Sequence, residues 1–493
     1  MENNQFKTIP QEKFELVQRD ESIFDTKFET KPVGYLKDAL IRFRKNKGSV
    51  VAFFVLMILV LFALIVPEVS YYELNQNDFV YKEVLPRSGF TDGTGFWDGT
   101  KIIDNMTDAN YQHNLQIPGY IVKHYETYEK IENGTIRTVY HKVRVDTYAV
   151  GYRYVNSTAD KIEQIREYEK ENNVQIMYPV LEIPSYYTST QASDPNWYYA
   201  TNQETNPNDN TPLLDPTTNE IIPIYKTENG EYVYTNNTGG GTLEIRVDYK
   251  EYYIMVNGHE PIFMFGANSQ GQDIMTRLAV GARFSLLLGV CVSLVNIIIG
   301  ICYGAIEGYY GGTVDLIMER ISDILSQVPF MIVAVLFNLY LSQKVGILVT
   351  LAFAFILTGW IGTAARVRMQ FYRYKGHEYV LAARTLGAKD GRLIFRHILP
   401  NAIGTIITSC VLMIPGVIFS ESSLSYLGVI DLQTDTSFTS VGTILQEGQG
   451  KLQDFPHILL FPSLFIALLM ISFNIFGRGL RDAFNPSLRG VEE

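Results

Sequence analysis

Cysteine and charge are both scarce in this 493-residue sequence. Its three cysteines, Cys291, Cys302 and Cys410, all lie in apolar runs, so disulfides cannot crosslink the polar part of the chain. Charged residues make up 19% of the sequence, hydrophobic residues make up 47%, and the net charge is −11. This composition excludes a disordered chain, a disulfide-stapled secreted module and a nucleic-acid binder driven by basic charge.

Motifs of nucleotide binding and catalysis are also missing. No Gly-x-x-x-x-Gly-Lys-Ser/Thr loop occurs, so any energy from ATP must come from a partner chain. His259-Glu260 and His377-Glu378 begin like a zinc-protease motif, but neither has a second histidine four residues after the first. No Gly-x-Ser-x-Gly elbow or paired-cysteine motif is present either. The sequence therefore predicts no catalytic, cofactor-binding or metal-binding residue.

Six apolar runs are present, each near the roughly 20 residues that a helix needs to cross a bilayer core of about 30 Å. The runs are Val50–Val66, Phe284–Ala305, Ser326–Leu341, Gly346–Ala365, Ala402–Ser420 and Ile458–Phe476. No acid or base lies inside them, which weakens an ion-driven transport mechanism. The most polar residues within or at the ends of the runs are Asn296, Asn338 and Asn474, each expected to bond to another helix.

The basic residues set the expected orientation. Lysines and arginines precede the first run and crowd residues 366–401 and the C-terminal tail. Alternate threading of the spans predicts that residues 421–456 form a loop on the opposite side, and Lys451 is the only basic residue in this stretch. Because positive charge is enriched on the cytoplasmic side, both termini are predicted to be cytoplasmic.

Residues 68–265, called the polar segment below, are predicted to form a domain outside the membrane. They hold 29 acidic against 15 basic residues and 23 of the 32 tyrosines. Residue patterns predict strands in Thr138–Tyr148 and Thr242–Val256, a helix capped by its first residue over Asp160–Asn172, and a long loop over residues 193–218. The tyrosines and acids fit either a peptide-binding or partner-binding face or the ordinary surface of a half-buried sheet.

Residues 378–400, called the knob below, form the most informative stretch of the sequence. Glu378–Leu386 favours a helix, and its small residues Ala382 and Ala383 would allow a close contact with a partner. Gly387 would end this helix, because glycine readily adopts a positive φ.

A second short helix is expected after this turn. Asp390 could cap it, and Leu393, Ile394 and Ile398 would give it an apolar face. Pro400 suits the first turn of the following span. The result would be a helix-turn-helix protrusion on the cytoplasmic side.

The knob resembles the EAA loop of type I ABC-importer permeases, whose pattern is Glu-Ala-Ala, three residues, Gly, nine residues, Ile-x-Leu-Pro. The matching residues are Ala382, Ala383, Gly387, Leu399 and Pro400. Leu381 replaces the glutamate of the pattern, and His397 stands at the isoleucine position. The resemblance implies an ATPase-docking loop formed by Ala382, Ala383, Arg384, Gly387, Ala388, Asp390, Leu399 and Pro400.

Three further stretches are similar to the C-type permeases of oligopeptide and dipeptide importers. They are residues 266–286, Gly308-Tyr-Tyr-Gly-Gly312 with Asp315, Arg320, Asp323 and Pro329, and the tail Gly479-Leu-Arg-Asp-Ala-Phe-Asn-Pro486. The resemblance covers the N-terminal anchor and residues 266–486. Usual members have only a short connection where this chain has its polar segment.

This resemblance implies a polytopic α-helical membrane protein with the type I ABC-importer permease fold, six transmembrane helices and an inserted α+β or mainly-β extracytoplasmic domain. It further implies half of a peptide-conducting pore in a bacterial plasma membrane. The expected partners are a B-type oligopeptide permease, two ATPases carrying ATP and Mg²⁺, an extracytoplasmic peptide-binding lipoprotein and the lipid bilayer. The substrate pathway is left unassigned.

The expected organisation follows the spans. Residues 1–48 form a cytoplasmic tail, residues 49–67 the first anchor helix and residues 68–265 the inserted domain. Residues 266–480 form the transmembrane domain with its coupling loop at 366–401, and residues 481–493 a second cytoplasmic tail.

Two other functions remain open. The same scaffold could import nickel, opines or antimicrobial peptides, in which case the specificity of the binding protein would decide. A membrane-anchored receptor or adhesin is the alternative from a different class. A receptor would not need an ATPase-docking loop, so copurification with two P-loop proteins separates the two classes.

Overall fold

The computed structural model describes residues 35–132, 136–204, 210–429 and 439–484. Two helices precede the polar segment: α1, Tyr35–Lys45, and α2, Lys47–Val69. Asn46 starts α2 by accepting a hydrogen bond from the backbone N–H of Ser49 at 3.2 Å. The helices after the polar segment are α7, Ile274–Tyr310; α8, Gly312–Ser326; α9, Phe330–Val345; α10, Ile347–Gly359; α11, Ile361–Tyr374; α12, Glu378–Thr385; α13, Asp390–Arg392; α14, Leu399–Cys410; α15, Met413–Tyr426; α16, Val441–Gln449; and α17, His457–Phe484.

Four helices among the described residues are long and apolar enough to cross a bilayer, and a bent pair could add a fifth. The four cover Lys47–Val69, Ile274–Tyr310, the consecutive helices α10 and α11, and His457–Phe484. The third expected span, Ser326–Leu341, starts at the last residue of α8 and continues into α9, and these two helices meet at a bend of 73°. The expected span Ala402–Ser420 falls on α14 and α15, each shorter than a bilayer crossing. The count of six therefore stays a prediction.

An acid lies buried at the end of the fifth expected span, where the sequence suggests none. Glu421 of α15 is fully buried. Its carboxylate accepts hydrogen bonds from the hydroxyls of Ser285 at 2.8 Å and Ser425 at 3.1 Å. Because a buried carboxylate needs donors, these serines from α7 and α15 explain how it is tolerated there. Reading Glu421 as a loop residue was wrong, since the helix continues past it.

Of the three asparagines expected to bond to another helix, Asn296 does so, and Asn338 bonds to the segment that follows α15. Asn296 donates to the backbone oxygen of Phe355 at 3.4 Å, and Asn338 donates to that of Val429 at 3.1 Å. Asn474 instead donates to Met470 of its own helix at 2.8 Å. The first two side chains thus join separate elements of the helical part.

The described residues of the polar segment form an α+β unit with three small antiparallel sheets. β1, Thr100–Thr107, β2, Ile121–Glu132, and β3, Ile136–Asp146, pair in the order β1-β3-β2. β4, Tyr152–Ser157, β5, Met177–Tyr178, and β8, Thr235–Gly239, all pair with β9, Thr242–Asp248. β6, Thr227–Glu228, pairs with β7, Glu231–Tyr232. The helices are α3, Asp108–Asn114; α4, Ala159–Asn172; α5, Ser189–Ala192; and α6, Tyr249–Asn257.

The expected strand over Thr138–Tyr148 is confirmed, since its alternating valines Val143 and Val145 are fully buried. The second half of Thr242–Val256 was predicted wrongly, because the strand ends at Asp248. There the Asp248 carboxylate accepts from the backbone N–H of Lys250 at 3.0 Å and starts α6.

The helix expected over Asp160–Asn172 is present as α4. Its N-cap is Thr158, and Asp160 lies in the first turn, so the predicted aspartate cap was wrong. An acid in the first turn still favours the helix, because it lies near the positive end of the helix dipole. In the expected loop over 193–218, the described residues form isolated bridges, and residues 205–209 lie outside the described structure.

Among the described residues, Arg246 of β9 is one of the largest fully buried side chains. Its guanidinium donates to the backbone oxygens of Pro195 at 2.8 Å and Pro179 at 3.3 Å. Four tyrosine rings surround it within 6.0 Å: Tyr152, Tyr178, Tyr198 and Tyr225. Burial lowers the pKa of Arg246, and the electron-rich tyrosine faces oppose that effect. Part of the tyrosine abundance is thus structural.

Aromatic contacts fasten the polar segment to the helices, and an ion pair joins two of those helices to each other. Phe265 stacks on Phe461 of α17 with ring centroids 4.3 Å apart, and Trp97 contacts both rings. Within the helical part, Arg277 of α7 binds both carboxylate oxygens of Glu447 of α16 at 2.7 Å. A bidentate pair of this kind fixes orientation as well as distance.

Candidate functional site

The first arm of the knob is α12, which packs through one buried residue, Val380. The helix ends where Gly387 adopts φ +84°, as its sequence position predicted. The backbone N–H of Ala388 then returns to the carbonyl of Ala383 at 3.1 Å, closing the turn. A Cβ at Gly387 would meet nothing within 4 Å, so its requirement for glycine is conformational.

The second arm contains α13 and a wide π-helical turn over Leu393–Ile398. Leu393, Ile394 and Ile398 are buried, as expected. Asp390 does not cap this arm: Lys389 holds the N-cap position, and Asp390 is the first helical residue. That prediction was wrong because the carboxylate is engaged by another helix.

Asp390 binds the end of α7. The Tyr309 hydroxyl donates to its carboxylate at 2.7 Å, and the Tyr310 hydroxyl does so at 3.4 Å. Arg384 donates to the same Tyr309 oxygen at 3.2 Å and lies over its ring. Tyr309 therefore contacts both arms of the knob, a role that no local sequence pattern indicated.

The base of the knob belongs to one apolar cluster that extends into three helices. Val380, Leu393 and Ile398 pack in this cluster with buried residues of α7, α11 and α14: Ala305, Tyr309, Val367, Phe371, Ala402, Ile406 and Cys410. Ala383, Ala388 and Leu399 contact the same cluster from its rim. Pro400 lies in the first turn of α14, as predicted. The base of the knob and these three helices therefore share one close-packed interior.

The tip of the knob exposes apolar surface. Leu386 is 88% exposed, Phe395 56% and Leu381 47%, and Ala382 is also exposed. Leu381 occupies the position of the glutamate in the EAA pattern, so this knob offers a methyl-rich side chain where the pattern offers a charge. Exposed apolar groups of this kind suit contact with another protein. Chemically, the site can bind a partner and transmit force.

Comparison with known proteins identifies the family of the chain. The family model described as the binding-protein-dependent transport system inner membrane component matches residues 296–490. The model of the N-terminal TM domain of oligopeptide transport permease C matches residues 34–86. The oligopeptide transport system permease protein OppC of Bacillus subtilis (strain 168) is 44% identical over 225 residues, which are 46% of this chain and 72% of that protein. The chain belongs to the C-type oligopeptide and dipeptide permeases.

Other relatives of this permease belong to the same family. The dipeptide transport system permease protein DppC of Bacillus subtilis (strain 168) is 41% identical, over 46% of this chain and 69% of its own length. OppC of Haemophilus influenzae (strain ATCC 51907 / DSM 11121 / KW20 / Rd) is 38% identical, over 47% of this chain and 72% of its own length. Most of the polar segment lies between the two family matches. The permease is a multi-pass membrane protein with the type I helical fold.

A closely packed glycine seam joins α7 to α11 in the permease. Gly300, Gly304 and Gly308 recur every four residues, and a Cβ at any of them would come within 2.9 Å of α11 or its N-cap residue. Small residues at this spacing let helix backbones approach each other. The repeat is visible in the sequence as Gly-x-x-x-Gly-x-x-x-Gly, so this feature could have been predicted.

An ion-pair network lies beside the seam. Arg368 of α11 binds Asp315 of α8 through two bonds of 2.6 and 2.8 Å and also contacts Glu319 at 2.8 Å. The Tyr372 hydroxyl donates to Asp315 at 2.6 Å. Arg368 and Asp315 are 53 residues apart, so sequence spacing gave no indication of their pairing. The network ties α8 to the helix that leads into the knob.

No group of three or more His, Cys, Asp or Glu side chains able to hold a metal occurs in the described ranges. The chain's relatives are permease subunits by name.

Proposed function

We propose that this permease forms one half of the translocation pore of an ATP-driven oligopeptide importer. A B-type permease would supply the other half, and two ATPases would bind ATP and Mg²⁺ on the cytoplasmic side. A peptide-binding lipoprotein would deliver substrate on the opposite side. The names of the relatives support the peptide class.

The observation that carries the proposal is the construction of the knob. Its tip exposes Leu386 and Phe395, whereas its base is buried among α7, α11 and α14. An ATPase bound to the tip could therefore move these helices together as a rigid body. Ala382, Ala383 and Gly387 would shape the contact, and the other docking residues, Arg384, Ala388, Asp390, Leu399 and Pro400, would brace it.

Both termini are proposed to be cytoplasmic and the polar segment extracytoplasmic. The support is that residues 366–401 are rich in lysine and arginine, whereas residues 68–265 have more acidic than basic residues. On that side, the polar segment would be placed to meet the binding protein. Deleting it while retaining the helices and measuring donor-protein capture and peptide uptake tests this role. Unchanged capture and uptake would reject this role of the polar segment.

Replacing Leu386 with aspartate tests the docking role directly. Leu386 is almost fully exposed, so the change should cost the fold little while placing a charge in the proposed interface. We expect loss of copurifying ATPases and at least tenfold slower uptake of a labelled peptide. Phe90→Asp is the matched control, because Phe90 is 99% exposed in the polar segment and should leave ATPase binding unchanged.

The outcomes separate the candidate functions. Normal ATPase binding and uptake by Leu386→Asp would reject docking through the knob. Absence of any copurifying ATPase with the wild-type chain would favour an anchored receptor or adhesin. Uptake of nickel or opines in place of peptides would support the importer fold and reject the peptide substrate.

A further inference from the structure

Two histidines face each other in the β2–β3 hairpin of the polar segment. The Nε2 atom of His124 lies 3.2 Å from the Nδ1 atom of His141. The Thr127 hydroxyl lies 3.1 Å from the first of these nitrogens and 3.2 Å from the second. Two nitrogens and one oxygen thus form a nearly equilateral triangle.

A β-bulge brings these three side chains to one face. In the β2–β3 ladder, His124 lies opposite Val143 and Thr127 lies opposite His141, with the register shifted by one residue after His124. In a regular strand, residues three apart point to opposite faces. The additional residue, Tyr125, reverses that relation, so His124 and Thr127 both face His141. Bulges commonly re-aim side chains in this way.

The neighbours of His141 determine which of its two ring nitrogens keeps a lone pair. Its Nε2 atom lies 3.0 Å from a carboxylate oxygen of Asp108, which can accept the Nε2 proton. The Nδ1 atom then keeps its lone pair, directed towards His124. The ring of Tyr111 stacks on the imidazole with centroids 4.1 Å apart, and His141 itself is buried. A carboxylate behind a fixed imidazole is the usual support of a metal-ligating histidine.

We propose that His124 and His141 bind a divalent transition-metal ion, with Zn²⁺ as the representative ion. Zinc lies about 2.0–2.1 Å from imidazole nitrogen, and tetrahedral ligands at that distance are about 3.3 Å apart. The observed separation of 3.2 Å therefore needs little rearrangement. Thr127 lies at a third corner, as a weak ligand or as the anchor of a bound water.

The donor set defines the class of ion. Imidazole ligands suit Zn²⁺, Cu²⁺ and Ni²⁺, whereas Mg²⁺ and Ca²⁺ prefer oxygen ligands. Two histidines are fewer protein ligands than a closed structural zinc site has. Because His124 is exposed, water would complete the coordination. The bound ion would crosslink β2 to β3.

Zinc titration of the purified full-length permease, stripped beforehand with a chelator, tests the site. Binding is measured by competition with a chromophoric chelator. We expect one saturable site, with affinity at least tenfold weaker in His124→Gln and in His141→Gln. Asp108→Asn should weaken it by roughly 10–100-fold, as loss of a metal ligand's carboxylate support usually does.

His113→Gln is the matched control. His113 belongs to the same polar segment, lies 3.0 Å from Asp194 and stacks on Trp197, but its contacts among the described residues include no second imidazole. Its substitution should leave zinc affinity unchanged. Zinc should also raise the thermal midpoint of the wild type and of His113→Gln, and not that of His124→Gln.

The alternative is a direct hydrogen bond between neutral imidazoles. In that case the wild type shows no saturable zinc binding, and His124→Gln lowers the midpoint of the metal-free protein. That result overturns the proposal. Equal zinc affinity in the wild type, His124→Gln and His141→Gln overturns it too, because the ion would then be held elsewhere.

Discussion

Replacing Gly304 with alanine should force apart two central helices of the permease. The added methyl group would lie 2.2 Å from the carbonyl oxygen of Ala364 and 2.9 Å from its Cα atom. Backbone atoms cannot rotate aside as side chains can. Since ordinary contacts begin near 3.4 Å, α7 and α11 would have to separate by roughly 1 Å.

Two opposing effects determine how much Gly304→Ala changes the free energy of unfolding. Overpacking of this kind costs about 1–3 kcal/mol. Replacing glycine with alanine inside a helix stabilises the helix by about 1 kcal/mol. Because the clash involves backbone, we expect a net loss of about 1–2 kcal/mol. The separation would also extend along α11 towards the knob, so ATP hydrolysis should become less well coupled to uptake.

The assay compares the thermal midpoint and the ratio of peptide uptake to ATP hydrolysis in the reconstituted importer. Gly362→Ala is the matched control, since Gly362 lies on α11 and a Cβ there would meet nothing within 4 Å. If Gly304→Ala is as stable and as well coupled as Gly362→Ala, the seam does not hold the helices at the observed distance and the reasoning fails.

Two further predictions concern the knob and the start of α7. Tyr309→Phe should loosen the knob by about 1 kcal/mol, because Asp390 loses a donor at 2.7 Å, whereas Tyr310→Phe removes only a 3.4 Å contact. Hydrogen exchange in the knob measures this, and equal protection in the two variants would contradict it. Burial raises the pKa of Asp273 to about 6, against hydrogen bonds from Thr276. The folded state thus holds this proton more tightly than the unfolded state, so stability relative to Asp273→Asn should fall between about pH 4 and pH 6. The loss is about 3 kcal/mol at most. A flat difference in denaturation free energy across that range would reject this assignment.

Features set by neighbouring residues were predictable. Gly387 ends α12 with a positive φ, and Pro400 begins α14, because each depends on the local backbone alone. The buried positions Leu393 and Ile398 followed from helical spacing. The type I permease fold was implied by the resemblance of the knob and three further stretches to known permeases.

Side-chain partners from distant parts of the chain were not predictable. Asp390 was expected to cap its own helix, yet it binds Tyr309, which is 81 residues away. Glu421 was read as a loop residue, yet serines of two helices enclose its carboxylate. In each case a hydroxyl group of α7, from Tyr309 or from Ser285, binds the carboxylate, and local spacing cannot indicate a contact between residues so far apart in the chain.

Sequence by itself determined where the chain can enter a membrane and where its backbone must turn, since apolar length and glycine conformation are local properties. Tertiary structure alone decided which charges pair, how closely α7 approaches α11, and that a one-residue bulge turns His124 towards His141. Those outcomes depend on strand register and helix separation, which are set by packing across the whole fold.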